Sequence, residues 1–149
     1  MSVKPAPCEG MLLVASDTIE RRSRSQDPMS QRAVMVVEDE ESQRVSLTEF
    51  LAWKGYWVNA FPSGRDAVDW LDSPSARIDA AVVDWHLPGV GGEGVVDAIR
   101  RLDARLPIIV ASGSPLSAAE RRRGQWSCAL RKPFSLRKLS DLLGELLEK

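Results

Sequence analysis

The sequence predicts an α/β protein whose parallel sheet carries helices on both faces. Short, uninterrupted apolar runs such as residues 33–37 (AVMVV) and 107–112 (PIIVAS) are typical of strands buried on both faces. Segments in which apolar residues recur every three or four positions, as in amphipathic helices, follow these runs. Because the two patterns alternate through five units, they favour a doubly wound sheet of parallel strands.

The elements follow one another in a regular order. The predicted strands span residues 33–37, 56–60, 78–84, 107–112 and 128–132. The predicted helices span residues 41–55, 62–73, 92–104, 115–126 and 135–149. No apolar run approaches the roughly 18 residues that a membrane-spanning helix needs, so the sequence predicts no such helix.

Helical spacing of apolar residues supports the first two helices. In the first helix, Leu47, Phe50 and Leu51 recur at that spacing together with the stem of Lys54, and Gly55 follows as a C-terminal cap. The second helix is expected to turn its small and branched apolar residues inward, namely Ala67, Val68 and Leu71.

The remaining helices differ in how apolar they are. The third has an apolar stripe formed by Val95, Val96, Ile99 and Leu102. The fourth is short, polar and only weakly amphipathic. The fifth follows Ser135 as N-cap, and its leucines recur every three or four residues at Leu136, Leu139, Leu143 and Leu146. Two further leucines, Leu142 and Leu147, leave open a dimer seam beside the core.

Residues 1–32 are predicted to be a flexible N-terminal extension, and residues 33–149 a single domain. The stretch SDTIERRSRSQDPMSQR is charged, rich in Ser and Arg, and without apolar period. Met29 stands just before the first strand and is an alternative start of the chain. An interaction arm is the functional alternative for this segment, but no motif supports it.

Composition excludes several classes of function. The chain carries 20 Lys and Arg against 21 Asp and Glu, a formal net charge of -1, which gives no basic field for nucleic acid and no polybasic anchor for a membrane. Cys8 and Cys128 are far apart and indicate two free thiols in a reducing compartment. His86 is the only histidine, so a site with several histidine ligands is excluded. We therefore expect a cytoplasmic protein.

Polar side chains follow the ends of four predicted strands. Glu38 and Asp39 follow the first, Asp84 ends the third, Ser112 ends the fourth, and Lys132 ends the fifth. Ligands of open α/β sheets bind at these carboxyl ends. If the first and third strands are neighbours, their three carboxylates converge and repel, and a hard divalent cation such as Mg²⁺ relieves this. A carboxylate, a metal, a hydroxyl and a lysine can together bind and transfer a phosphoryl group.

The loop behind Asp84 is rich in turn residues. Pro88 stops the strand from continuing, and Gly89, Gly91 and Gly92 permit tight turns and a close approach of the backbone to a ligand.

Five motifs in this order resemble the receiver domain of two-component response regulators. They are VMVVEDEE, GYWVNAFPSG, VVDWHLPGVGGEG, LPIIVASGS and LRKPFS, and together they cover residues 33 to about 148. The resemblance implies a flavodoxin-like (βα)5 fold with five parallel strands in the order 2-1-3-4-5. It also implies a cis peptide bond between Lys132 and Pro133.

The same resemblance implies the roles of the site residues. Asp84 would be the nucleophile that becomes an aspartyl phosphate. Glu38, Asp39, Asp84 and the backbone carbonyl of His86 would hold Mg²⁺, although this family more often has Asp where Glu38 stands. Lys132 would contact the phosphoryl oxygens, and Ser112 would move to hydrogen-bond the phosphoryl group.

Two neighbours of Asp84 also receive interpretations. His86 is interpreted as a surface residue that tunes how water reaches the aspartyl phosphate, with a second phosphoryl carrier or a metal ligand as the alternative. Trp85 is expected beside the metal site. Trp53, Trp57, Trp70 and Trp126 are interpreted as packing residues or partner contacts.

The implied function is that of a phosphoryl-accepting switch in a phosphorelay. Its implied partners are a sensor histidine kinase or a histidine phosphotransfer protein, together with a downstream protein target, but neither nucleic acid nor membrane. Because no output domain follows residue 149, we expect a stand-alone receiver. It would be no enzyme beyond catalysing its own phosphorylation and slow dephosphorylation.

The sequence departs from this family at the position of Ala129. Most members have an aromatic residue three places before the lysine, which swings inward as the hydroxyl moves; Trp126 is a candidate substitute. This departure keeps open a degenerate receiver that acts as an adaptor without phosphorylation. A small phosphohydrolase with an aspartyl nucleophile is a third hypothesis, but it would want a second acid where His86 stands.

Overall fold

A computed structural model of the protein describes residues 2–3 and 31–148. Its five parallel strands are β1 (Ala33–Val37), β2 (Trp57–Phe61), β3 (Ala80–Asp84), β4 (Ile108–Ser112) and β5 (Cys128–Arg131). Its helices are α1 (Glu41–Trp53), α2 (Gly64–Leu71), α3 (Gly91–Leu102), α4 (Ala118–Arg123) and α5 (Leu136–Leu147).

The parallel strands lie in the order β2-β1-β3-β4-β5, which confirms the predicted fold class and strand order. In the central pair, Val37 of β1 lies opposite Val83 of β3. The chain leaves both strands at the same edge of the sheet, so Glu38 and Asp84 become neighbours. The peptide bond between Lys132 and Pro133 is cis, as expected.

A sixth strand, which was not predicted, borders β2. Ser2–Val3 pairs antiparallel with β2, with Ser2 opposite Asn59 and Val3 opposite Val58. At the other end of the predicted extension, Gln31 is buried and its side-chain amide donates to the carbonyl of Gly55 (2.8 Å). Residues 4–30, which include Cys8 and Met29, lie outside the described residues.

The sheet separates two apolar cores. Alternate residues of β1 face opposite sides, since side chains alternate along a strand. On one side, Met35 and Val37 pack in a cluster with residues of α2 and α3. On the other side, Val34 and Val36 pack in a cluster with residues of α1 and α5. Leu142 and Leu147 are half-buried and pack against this second cluster, and the dimer seam stays a hypothesis.

The helix starts differ from the predicted ones where a side chain caps the first turn. The hydroxyl of Ser63 accepts from the amide of Asp66, so α2 begins at Gly64, two residues later than predicted. The Ser117 hydroxyl accepts from the amide of Glu120, so α4 begins at Ala118 and has only six residues. A side-chain oxygen at this position satisfies an amide that the helix itself leaves unpaired.

The predicted apolar stripe of α3 is wrong at one position. Val95, Val96 and Ile99 are buried, but Leu102 is 62% exposed. The helix ends at Leu102, and the chain turns back so that Leu106 enters the core instead. Within the described residues, no helix is both long and apolar enough to span a bilayer.

Candidate functional site

Three carboxylates meet where β1 and β3 end. One oxygen from each of Glu38, Asp39 and Asp84 lies within 4.8 Å of the others. Glu38 is 3% exposed and Asp84 is 8% exposed, whereas Asp39 faces solvent. The structure thus brings together the three carboxylates that the strand ends predicted.

Lys132 lies next to two of these carboxylates. Its Nζ is 2.8 Å from Oε1 of Glu38 and 3.4 Å from Oδ2 of Asp84. Burial lowers the pKa of this amine, but its hydrogen bond to Glu38 and the charge of Asp84 outweigh that effect, so the pKa is raised. The amine therefore stays a cation beside Asp84 at neutral pH.

Gln43 belongs to the site, although no sequence pattern predicted it. Its Oε1 accepts from Nζ of Lys132 (3.1 Å). Gln43 lies in the first turn of α1, where its amide donates to the carboxylate of Glu40, the N-cap. The only signal in the sequence is its position shortly after the acidic pair, which any polar residue of that turn would share.

Burial dominates the electrostatics of Glu38. It raises the pKa of this carboxyl, while the Lys132 hydrogen bond and the amide of Glu40, which donates to Oε2 (3.0 Å), lower it; the net direction is upward. The charge of Asp84 adds to the rise. A cation bound among the three carboxylates would favour the ionised form of each.

Ser112 takes part in a small hydroxyl and imidazole cluster. Its Oγ donates to the carbonyl of Ser114 (2.6 Å) and lies 3.1 Å from Nε2 of His86. The same imidazole nitrogen lies 3.2 Å from Oγ of Ser114. The backbone amide of His86 donates to Oδ1 of Asp84 (3.2 Å). The exposed His86 side chain thus contacts both Ser112 and Ser114. The metal contact of the His86 carbonyl stays a prediction.

The indole of Trp85 points towards α4, although it was expected beside the metal site. Trp85 is buried, its Nε1 donates to Oε2 of Glu120 (2.6 Å), and its ring meets Trp126 edge to face at 4.9 Å between centroids. Oε1 of Glu120 also accepts from the amide of Ser117. The backbone of Ser117 and then the indole lower the pKa of Glu120. The residue after Asp84 is therefore joined directly to α4.

The hydrogen bond between Glu120 and Trp85 could not be predicted from the sequence. The S-x-x-E spacing of Ser117 and Glu120 is a capping-box signal, but a capping box gives no sign that its glutamate also binds an indole. Trp126 packs on Trp85, and Ala129 is exposed on β5. The proposed substitution of Trp126 for the missing aromatic residue stays a hypothesis.

The loop after β3 needs its glycines. Gly89 and Gly91 have φ of +74° and +76°, a region that side chains with a Cβ rarely adopt. Gly92 has a different reason. A Cβ there would lie 2.6 Å from the carbonyl oxygen of Asp84 and 2.6 Å from Cα of Trp85. The first turn of α3 thus packs directly against the backbone of Asp84 and Trp85.

A cleft of about 550 Å³ opens beside the carboxylates, between α1 and the start of α5. Glu38, Asp84 and Lys132 line its polar part, and Leu47 and Phe134 are among its apolar lining. The donors around the carboxylate cluster are oxygens, which suits a hard cation such as Mg²⁺ better than a softer metal. Glu38, Asp39 and Asp84 are therefore fit to hold that ion.

Known proteins share both the sequence pattern and the fold. The sequence model of the response regulator receiver domain matches residues 34–143. The response regulator MprA of Mycolicibacterium vanbaalenii is 34% identical over 119 residues, which make up 78% of this chain and 50% of MprA. The chain thus spans about half the length of this relative.

Two solved structures are similar over most of the described part of the chain. A response regulator receiver protein from Sinorhizobium medicae WSM419 has a TM-score of 0.73 and 25% identity, over 80% of this chain and 97% of that one. The receiver domain of the sensor histidine kinase PA1611 from Pseudomonas aeruginosa PAO1, with a magnesium ion coordinated in its active site cleft, has a TM-score of 0.70 and 25% identity. That match covers 80% of this chain and 100% of that domain.

Proposed function

The chain belongs to the response regulator receiver domain family of two-component signalling, and from this premise we propose that Asp84 accepts a phosphoryl group in a Mg²⁺-dependent reaction. The single observation that carries the proposal is the surroundings of Asp84. This carboxylate is buried and lies 3.4 Å from the Lys132 amine, with the carboxylates of Glu38 and Asp39 beside it. This arrangement provides a nucleophile, a cation and an oxygen-rich metal site in one cleft.

The residues divide the work of phosphoryl transfer between them. A carboxylate oxygen of Asp84 forms a bond to phosphorus while the bond from phosphorus to the donor histidine nitrogen breaks, and the electron pair leaves with that nitrogen. Lys132 neutralises charge on the transferred oxygens. The Glu38 contact of 2.8 Å holds its amine within reach of Asp84. A bound Mg²⁺ would supply further neutralisation of the phosphoryl oxygens, and Glu38, Asp39 and Asp84 would hold it.

Ser112 must change partners in this mechanism. Its hydroxyl is engaged by Ser114 and His86, so it has to leave these contacts to hydrogen-bond an arriving phosphoryl group. We propose that this exchange is the first conformational consequence of phosphorylation. The His86 imidazole, which is exposed and next to Ser112, then tunes how water reaches the aspartyl phosphate.

The proposed partners follow from this chemistry. The donor is a phosphohistidine on a sensor kinase or on a phosphotransfer protein, and the cleft between α1 and α5 gives it access to Asp84. The output is a protein contact or onward phosphotransfer in the cytoplasm. Apart from promoting its own phosphorylation and slow dephosphorylation, the chain catalyses no reaction in this proposal.

Intact mass after incubation with acetyl phosphate tests the proposal. We expect one added phosphoryl group on the wild-type chain when Mg²⁺ is present, and none without it. Asp84→Asn should carry no adduct, whereas Asp69→Asn, which removes an exposed carboxylate of α2, should be phosphorylated like the wild type.

Two outcomes would contradict this function. If folded Asp84→Asn still carried a phosphoryl group, the assignment of Asp84 as the acceptor would be wrong. A wild-type chain that takes up neither phosphoryl nor the mimic beryllofluoride would favour the alternative of an adaptor that works without phosphorylation.

A further inference from the structure

The amine of Lys132 has more than one acceptor beside it. An ammonium group carries three N–H donors, and three oxygens surround this one. They are Oε1 of Glu38 at 2.8 Å, Oε1 of Gln43 at 3.1 Å and Oδ2 of Asp84 at 3.4 Å. The contact with the proposed phosphoryl acceptor is the longest of the three. Glu38 and Gln43 therefore determine where the amine lies relative to Asp84.

The backbone of Gln43 is fixed by the cap of α1. The carboxylate of Glu40 accepts from the amides of Ser42 (3.1 Å) and Gln43 (3.1 Å), and such a cap stabilises the first turn of a helix. The Gln43 side chain is exposed and lines the cleft beside Asp84. Its oxygen therefore meets Lys132 from a backbone position that does not depend on that contact.

The Lys132 side chain is anchored at its backbone but not along its stem. Its backbone amide donates to the carbonyl of Ser112 (2.8 Å), whereas the stem between backbone and amine has many rotamers. With Glu38 as the sole close acceptor, the amine could still rotate about that one hydrogen bond. A second acceptor at Gln43 removes this freedom, because two fixed N–H directions of a tetrahedral ammonium also fix the third.

The oxygen of Gln43 is neutral, which matters beside two carboxylates. Glu38 and Asp84 already place negative charge near the amine. A further carboxylate would repel an arriving phosphoryl group, since like charges at short range oppose one another. An amide oxygen orients the amine and leaves its positive charge available to the phosphoryl oxygens.

We propose that Gln43 is a positioning residue for phosphoryl transfer. Together with Glu38, it holds the Lys132 amine so that the third N–H is directed to the side of Asp84 on which the phosphoryl oxygens arrive. This role rests on the proposed function of Asp84 as acceptor. Gln43 moves no proton and acts only through Lys132.

The rate of phosphorylation by acetyl phosphate, followed by intact mass at saturating Mg²⁺, tests this role. Gln43→Met keeps the length and helix propensity of the side chain but loses its strong acceptor. We expect it to slow the reaction about five- to tenfold, because Lys132 is less well placed. Gln125→Met, the same substitution at an exposed position in the loop before β5, is the matched control and should react like the wild type.

A double-mutant cycle shows whether the effect passes through Lys132. Lys132→Met should slow the reaction more than Gln43→Met does. In the Lys132→Met background, Gln43→Met should change the rate by less than about twofold, because the group that it positions is gone. A general structural effect of Gln43 would slow the reaction equally in both backgrounds.

Nuclear magnetic resonance reports the contact without any phosphorylation. In the full chain with ¹³C-labelled lysine, the ε-methylene signal of Lys132 is assigned by its absence from Lys132→Met. Its carbon relaxation should indicate a rigid group in the wild type and a more mobile one in Gln43→Met. Gln43→Glu keeps an acceptor oxygen at the same reach and should restore the rigidity.

The proposal is overturned if Gln43→Met reacts within about twofold of the wild type, if its effect persists in Lys132→Met, or if it leaves the ε-methylene as rigid as before. A wild-type chain that takes up no phosphoryl group would instead overturn the proposed function. The relaxation data would then decide the contact between Gln43 and Lys132 alone, so the two failures are distinguishable.

Discussion

Glu38 is a carboxylate that water barely reaches, and its two oxygens are used differently. Oε1 accepts from the amine of Lys132 and Oε2 from the amide of Glu40. These contacts do not fully offset the cost of burying the charge, because the pKa of the carboxyl is raised. The ionised form of Glu38 is therefore disfavoured by its burial, and a cation bound beside it would favour that form.

Replacing Glu38 with Gln should change how stability depends on pH in buffer that contains a chelator. The folded-state pKa of Glu38 is raised, so its stabilising contribution is fully present below the unfolded value of 4.5 and is lost as the pH rises through the folded value. Glu38→Gln stays neutral. The free energy of unfolding of the variant relative to wild type should therefore increase with pH across this window in urea titrations. A difference that decreases with pH would contradict the account.

Gly92→Ala should destabilise the protein by roughly 1 to 3 kcal/mol, because its methyl would press on the backbone of Asp84 and Trp85. It should also slow phosphorylation by acetyl phosphate, since the acceptor itself is displaced. Gly144→Ala is the matched control: nothing lies within 4 Å of a Cβ at this position in α5. That variant should gain about 0.5 to 1 kcal/mol in urea unfolding. Equal effects of the two substitutions would refute the close contact.

The sequence was most informative about residues whose position follows from the backbone alone. Glu38, Asp84 and Lys132 come together because parallel strands end at one edge, and no side-chain detail was needed. Gln43 and Glu120 could not be found in this way. Their roles depend on how α1 and α4 sit on the sheet and on which rotamers reach Lys132 and Trp85.

At the scale of elements, α4 differs most from its prediction. A helix was predicted over the polar segment 115–126, whereas the observed helix spans only Ala118–Arg123 and contains no buried residue. Such a helix gains little from packing, and its stability depends on its ends. Ser117 caps it, and Glu120 both closes the capping box and binds the indole of Trp85.

Two substitutions should separate the cap from the indole contact. Ser117→Ala removes the cap alone and should lower the free energy of unfolding by roughly 1 kcal/mol. Glu120→Ala should lower the free energy of unfolding further than Ser117→Ala does, since the buried indole N–H of Trp85 also loses its acceptor. Urea unfolding measures the loss of stability in both variants. Amide hydrogen exchange should be faster in α4 of each variant than in α4 of the wild type. If both variants lose the same stability, the indole bond contributes nothing.

The strands were easier to predict than the helix ends. An uninterrupted apolar run such as residues 33–37 has to be covered on both sides, so its class follows from the pattern. Helix boundaries depend on caps such as Ser63, and on where the chain turns. That is why Leu102, which fits the apolar spacing of α3, lies outside the core while Leu106 lies inside it.

At the scale of the whole molecule, a metal ion bound at the proposed site would couple that site to global stability. A ligand that binds only the folded chain raises the free energy of unfolding by mass action. We expect added Mg²⁺ to raise the thermal midpoint of the wild type, because binding relieves repulsion among three carboxylates. Asp39→Asn removes one exposed ligand and should show a smaller rise.

Differential scanning calorimetry at constant ionic strength provides the measurement, with NaCl in place of MgCl₂ as the control for screening. A wild-type midpoint that responds equally to both salts would argue against a specific magnesium site. Glu49→Gln, which neutralises an exposed carboxylate in the middle of α1, should respond to Mg²⁺ as the wild type does.

The short strand Ser2–Val3 also matters for how separate molecules meet. The outer side of a β-strand has free amides and carbonyls onto which another chain can add, and this is a common start of aggregation. Next to β2, the edge strand is Ser2–Val3, which has two residues and runs antiparallel to the other strands. It offers very few backbone groups to a strand of another molecule. Val58 and Asn59 of β2 are thereby already paired on that side, which leaves a shorter open edge for a second chain to join.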